Sequence, residues 1–169
     1  MKPTLLTRAQ GAYETLVLAA SHLQSALLLG IRLYWGFQFA QTGWGKLRHL
    51  SDTAEFFGSL GLPFPMANAA LAGATECFGG VLLLVGLGSR LISIPLIFTM
   101  IVAYSTADKE ALQAIFSDPD KFVTATPFLF LFASLIVLVF GPGKASLDHF
   151  LDKRFAVSDA TVKAEVEHA

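Results

Sequence analysis

Met66-Ala67-Asn68-Ala69-Ala70-Leu71-Ala72-Gly73-Ala74-Thr75-Glu76-Cys77-Phe78-Gly79-Gly80-Val81-Leu82-Leu83-Leu84-Val85-Gly86-Leu87 is a run as long as a membrane crossing, with one charged side chain, Glu76, near its middle. A hydrocarbon core about 30 Å thick takes ~20 mainly apolar residues in helical form, because each backbone polar group must be satisfied within the segment. Three further apolar runs flank this one. The first extends from about Leu23 to Trp44 and is broken by a single charge, Arg32. Another covers Leu91 to Tyr104 and continues to Ala107, with Pro95 in its first turns. The last covers Thr126 to Phe140, with Pro127 where a helix accepts proline, at its first position. The last two are short enough to be buried soluble helices if taken alone. Four in succession predict an all-α integral membrane protein, a four-helix bundle.

Composition points the same way. Of 169 residues 54% are hydrophobic and 15% charged, against roughly 45–50% and about 25% in an ordinary soluble domain. Mean hydropathy is +0.59. Disorder is excluded and the lipid bilayer becomes the expected surrounding. With 12 Lys+Arg against 13 Asp+Glu and no basic patch, nucleic acid is not a partner. The single cysteine, Cys77, rules out a disulfide or a paired-cysteine redox centre within the chain.

The expected organisation is an N-terminal surface segment over residues 1–22, a four-span domain over 23–150 and a polar tail over 151–169. The first run starts late, carries Arg32 and lacks a small-residue cleavage pattern, so it reads as a retained span rather than a signal peptide. Four spans put both termini on one side. That side holds Lys2, Arg8, Arg90, Lys144, Lys153 and Arg154, the other Lys46, Arg48, Lys109 and Lys121. The positive-inside rule then places the termini in the cytoplasm. Within the outer loop, the spacing of Ala111, Leu112, Ile115 and Phe116 predicts a short surface helix.

Charges inside spans cost on the order of 2.5–3.5 kcal/mol each and so face the protein interior and find partners. Entered at Leu23, the first span carries Arg32 ~13–14 Å deep; entered at Met66, the second carries Glu76 ~15 Å from the opposite surface. The two depths coincide, which predicts an Arg32–Glu76 ion pair at the midplane. Helical steps from Arg32 reach Gly36, Phe39, Gly43 and Lys46, and from Glu76 they reach Gly80, Leu83 and Arg90. Small residues on these stripes let helices approach closely, so the stripes are expected to face each other.

These blocks resemble a known family. Arg32-x3-Gly36-x2-Phe39-x3-Gly43-x2-Lys46-Leu47, Gly61-Leu62-Pro63-x-Pro65, Glu76-x2-Gly79-Gly80-x2-Leu83-x2-Gly86-x3-Arg90 and Gly141-Pro142-Gly143-Lys144-x-Ser146-Leu147-Asp148 together are similar to the DoxX family of small four-span bacterial membrane proteins, over about residues 25–150. The resemblance implies a helical bundle in the bacterial cytoplasmic (inner) membrane, with Arg32, Lys46 and Glu76 at polar motif positions. It also implies quinone-linked sulfur oxidation, membrane oxidoreductase assemblies or accessory roles in protein maturation, so it does not name one reaction. Having Cys77 alone, this chain departs from relatives that use paired cysteines.

The expected function is therefore a membrane subunit of a redox system that engages a quinone or another lipid-soluble acceptor at a site containing Arg32, Glu76 and Lys46. Gln41, Trp35 and Tyr34 are further pocket candidates, a flat apolar wall being suited to a quinone ring. No covalently bound cofactor and no metal site is expected: His22, His49, His149 and His168 are not paired at one depth on facing spans. Another redox or membrane protein, or a second copy of the chain, is the expected protein partner. The alternative is a structural or assembly protein that binds another membrane protein without ligand or catalysis of its own.

Overall fold

The computed structural model describes residues 5–154, with side chains from Gln10 onward. The described residues form helices joined by short turns and contain no strand: α1 (Leu5–Arg48), α2 (Leu50–Ser59), α3 (Pro65–Val85), α4 (Ser89–Thr106), α5 (Lys109–Gln113), α6 (Pro119–Thr124) and α7 (Pro127–Phe140). Residues 147–154 are helical as well. The part of the expected tail beyond residue 154 lies outside the described residues. Three helices, α1, α3 and α4, are long and apolar enough to cross a membrane, and α7 is a shorter apolar helix.

α1 is longer than its apolar run. Residues 5–22 contain no proline and one glycine, Gly11, among alanine and leucine, so nothing in the backbone chemistry ends the helix there. It runs through residue 22 without a break. At 1.5 Å per residue the whole helix measures ~66 Å, about twice a hydrocarbon core. Its first half is open to the surroundings: Tyr13, Leu16, Leu18, Leu23 and Leu27 are all exposed.

α3 and α4 form a hairpin closed by two left-handed glycines, Gly86 (φ 77°) and Gly88 (φ 59°). Gly86 N–H donates to Leu82 O at 2.9 Å and Leu87 N–H to the same carbonyl at 3.0 Å, which satisfies the last turn of α3. α1 packs on α3, α3 on α4, α4 on α7, and α7 returns to α1, while α2 covers the start of α3. The core between them is Phe39, Leu83, Leu96, Met100 and Val137. Phe130 of α7 stands edge-on to both Phe39 (4.7 Å) and Trp35 (4.9 Å).

Glycines set the α1–α3 register. A Cβ added at Gly36 would lie 2.8 Å from Leu84 N, one at Gly43 2.7 Å from Cys77 Cα, and one at Gly80 2.7 Å from Gly36 O. The two small-residue stripes therefore do face each other, backbone against backbone. Read along this register, Arg32 lies level with the α3–α4 turn, not with Glu76. The expected midplane ion pair is not formed, because α1 begins far before Leu23 and its packing against α3, not the start of its apolar run, sets the level of Arg32. The irregular backbone of residues 141–146 sits at the same level as Arg32. Lipid-exposed irregular chain is not tolerated inside hydrocarbon, so this level is the edge of the membrane core.

In the connection between α4 and α7 two short helices, α5 and α6, replace the expected single one. Asp118 caps α6, its Oδ1 accepting from Lys121 N–H at 3.4 Å. Tyr104 stacks on Phe122 at 4.8 Å and donates to Phe122 O at 2.8 Å, which fastens this connection to the end of α4.

Candidate functional site

Arg32 and Glu76 occupy separate polar centres. Arg32 is 1% exposed and donates through Nη1 to Pro142 O (2.6 Å) and through Nη2 to Ala145 O (2.9 Å). Nε has no partner among the described residues. Asp148, on the same segment, accepts from Gly88 N–H (2.7 Å) and Ser89 N–H (3.0 Å), capping α4 from a distant part of the chain. A Cβ at Gly86 would come within 2.6 Å of Arg32 Nη1, so glycine is needed there for space as well as for its positive φ. Arg32 and Asp148 thus bind residues 142–148 to α1 and to the α3–α4 turn. The fork of the guanidinium suits two backbone carbonyls, and each terminal nitrogen gives one N–H to one of them, while Nε is left without a partner among the described residues.

Glu76 pairs instead with Lys46. Lys46 Nζ lies 2.5 Å from Glu76 Oε2, and Thr42 Oγ1 reaches the same oxygen at 3.2 Å. Thr42 and Lys46 are four residues apart on α1 and so share a helix face. The Glu76 side chain is 4% exposed, that of Lys46 30%. Among the described residues Lys46 Nζ has no second partner and Glu76 Oε1 has none. A free donor and a free acceptor therefore stand side by side, at a point where helical packing has taken them out of bulk solvent.

They form the polar floor of a cavity of about 410 Å3 enclosed by α1, α2, α3, α4 and α7. Its walls are predominantly apolar, including Phe57, Leu60, Ala72, Met100, Ala103 and Phe130, with Asn68 and Asp108 at the edge. Leu71, Phe98 and Phe56 also line it and are exposed on the outer surface, at 66%, 65% and 52%. Leu71 and Phe98 lie well inside α3 and α4, so the mouth opens sideways at membrane depth. The volume falls in the ~300–1,000 Å3 range of small-molecule sites, and apolar walls around a few convergent polar groups are the usual make-up of such sites.

Of the residues singled out from sequence, Lys46 and Glu76 come together in the cavity. Arg32 does not reach it: fourteen residues separate it from Lys46 on one helix, ~21 Å. Trp35 packs on Phe130 and on Tyr34. Tyr34 is 60% exposed, Gln41 is exposed, and none of these three lines the cavity. Sequence reasoning missed Thr42, Asn68 and Asp108. Thr42 was detectable in principle, being one turn before Lys46 on the stripe already drawn. The contribution of α2 was not, since it depends on the chain folding back after His49.

Fold and site together define a multi-pass helical membrane protein with a laterally open, mainly apolar cavity over a buried ion pair. The chain belongs to the DoxX family, whose family model matches residues 27–109, a stretch that includes Arg32, Lys46 and Glu76. It is 32% identical over 123 residues to a Bacillus subtilis (strain 168) protein named "Putative oxidoreductase CatD", covering 73% of this chain and 85% of that one. It is also 32% identical over 136 residues to "Uncharacterized membrane protein Rv3486" of Mycobacterium tuberculosis (strain ATCC 25618 / H37Rv), covering 73% and 80%. No solved structure matches the chain.

Proposed function

We propose that this protein is the membrane subunit of a redox system and binds a quinone or a similar lipid-soluble acceptor in the cavity beside Lys46 and Glu76. The observation that carries the reading is the pairing of a free N–H on Lys46 with a free Oε1 on Glu76 at the floor of an apolar cavity open to lipid. A quinone carbonyl accepts from the first, and a quinol hydroxyl donates to the second. Both redox states of one ligand are then satisfied by one pair of groups. The name of the Bacillus relative supports an oxidoreductase setting. A single cysteine cannot cycle as a dithiol, so the electrons come from a partner protein.

The protein resides in this reading in the bacterial inner membrane with α7 as the fourth crossing. Because Lys46 is committed to Glu76, it leaves the outer tally of basic residues, which widens the positive-inside margin for cytoplasmic termini. The test is saturable binding of tritiated decylubiquinone to the full chain in nanodiscs. Ala103→Trp, which fills the cavity, is expected to abolish binding while leaving thermal unfolding unchanged. Equal binding by wild type and Ala103→Trp sinks the reading. The exposed leucines along the first half of α1 favour a second reading, an assembly protein for another membrane protein. Crosslinking from Leu16 or Leu23 to a stable partner, without any quinone binding, would select it.

A further inference from the structure

Lys46 brings a cation to the cavity floor, and a cation in an apolar cavity open to the bilayer invites the commonest anions dissolved there, fatty acids and other acidic amphiphiles. The geometry of the floor removes that invitation. Glu76, almost wholly buried, places its Oε2 2.5 Å from Lys46 Nζ, and Thr42 holds the same oxygen. The floor is therefore neutral in sum, while Lys46 keeps unused N–H donors. A second carboxylate, Asp108, stands at the edge of the same cavity. An entering carboxylate would meet Glu76 beside Lys46 on the floor, with Asp108 as a further carboxylate in the lining. Like charges brought together out of water are costly.

We infer that Glu76 is a specificity-determining residue: by neutralising Lys46 it reserves the cavity for neutral lipophiles carrying a carbonyl or hydroxyl head and turns away anionic amphiphiles. The inference rests on the cavity being a ligand site, as proposed above. It goes beyond that reading because it states which charge class of ligand is refused and which side chain refuses it. Substituting one partner unbalances the floor, and the sign of the imbalance fixes the sign of the ligand admitted. Glu76→Gln leaves an unpaired ammonium and admits carboxylates. Lys46→Gln leaves an unpaired carboxylate and admits long-chain amines.

The experiment is competitive binding to the full chain in nanodiscs of uncharged lipid, with decylubiquinone, oleate and dodecylamine as probes and thermal unfolding recorded for each protein. Wild type is expected to prefer decylubiquinone to oleate by at least about tenfold. Glu76→Gln shifts that ratio at least about tenfold toward oleate, and Lys46→Gln shifts the ratio of decylubiquinone to dodecylamine as far toward the amine instead. The reciprocal pair keeps the test open if one variant fails to fold. Oleate binding to wild type as tightly as decylubiquinone, or a folded variant with an unchanged ratio, overturns the inference and leaves the cavity reading standing. Binding of none of the three probes to folded wild type overturns the cavity reading itself.

Discussion

Arg32 shows how a charge can be indispensable without being near the candidate ligand. Its guanidinium is spent on two backbone carbonyls of residues 142–145, groups that would otherwise be left without donors at the end of the helices. Arg32→Ala removes both bonds and leaves a cavity where a large side chain was fully buried. A loss of about 3 kcal/mol in unfolding free energy is expected. Arg32→Lys keeps the charge but not the parallel donors, and should cost roughly half as much. Neither change should alter decylubiquinone affinity in the folded fraction, given the ~21 Å to Lys46. Loss of ligand binding in a well-folded Arg32→Lys protein would contradict the separation of the two centres. That both Arg32 and Glu76 matter was legible in the sequence, since a lone charge in an apolar run must be held by something. Who holds each was not legible, because partners depend on register and both runs read equally well at several offsets.

At the scale of elements, the register is carried by glycines rather than by charges. A methyl group on Gly43 would run into the backbone of Glu76 and Cys77, atoms that cannot swing aside, so α1 and α3 must separate. Gly43→Ala is expected to cost on the order of 1–3 kcal/mol, despite alanine being the better helix former. Gly30, with nothing within 4 Å of its missing Cβ, supplies the control. Gly30→Ala should be neutral or stabilise by up to about 1 kcal/mol. Thermal or steric-trapping measurements in one detergent compare them directly, and equal effects would refute close packing at Gly43. The sequence displayed these glycines at helical spacing, but a glycine gives no sign of which residue it admits.

The connection between α5 and α6 responds to pH. Lys121 Nζ donates to Glu110 at 2.8 Å, which holds the Glu110 carboxyl below its ordinary value of 4.5 and raises Lys121. A carboxyl lowered on folding adds stability that is present above its unfolded value and disappears as pH falls through the folded one. Lys121 works in the opposite sense, its share being complete below 10.5 and lost as pH rises further. The link is thus whole between these limits and opens in acid. Both groups are exposed, so the effect is local and weakened by salt. Amide protection over residues 109–124, that is exchange corrected for its intrinsic pH dependence, should fall as pH drops below the ordinary carboxyl value of 4.5 in wild type and show no such fall in Glu110→Gln. Unchanged protection in acid would show that the ion pair does not hold the two helices.

For the whole molecule, the level of Arg32 fixes where the membrane ends. Hydropathy alone let the first span begin near Leu23, since leucine and alanine continue on both sides of that position and nothing in composition distinguishes a helix in lipid from its continuation beyond. Packing makes the distinction: α3 ends at Val85, α4 starts at Ser89, and the irregular residues 141–146 lie level with Arg32. Residues of α1 before about Gly30 therefore project past the hydrocarbon, and those from Leu33 onward lie within it. In a Cys77→Ser background, Ala26→Cys, on the exposed surface of the projecting part, should react with a membrane-impermeant maleimide at close to the rate of a water-exposed thiol. Phe37→Cys, equally exposed in the protein but facing lipid, should react at least about tenfold more slowly, because the reactive thiolate is not formed in hydrocarbon. If the termini are cytoplasmic, Ala26→Cys labels in inverted vesicles and is protected in intact cells. Slow labelling at both positions from both sides would move the boundary back to Leu23 and return Arg32 to the interior of the bilayer, leaving residues 141–146 without a physical reason to be irregular there.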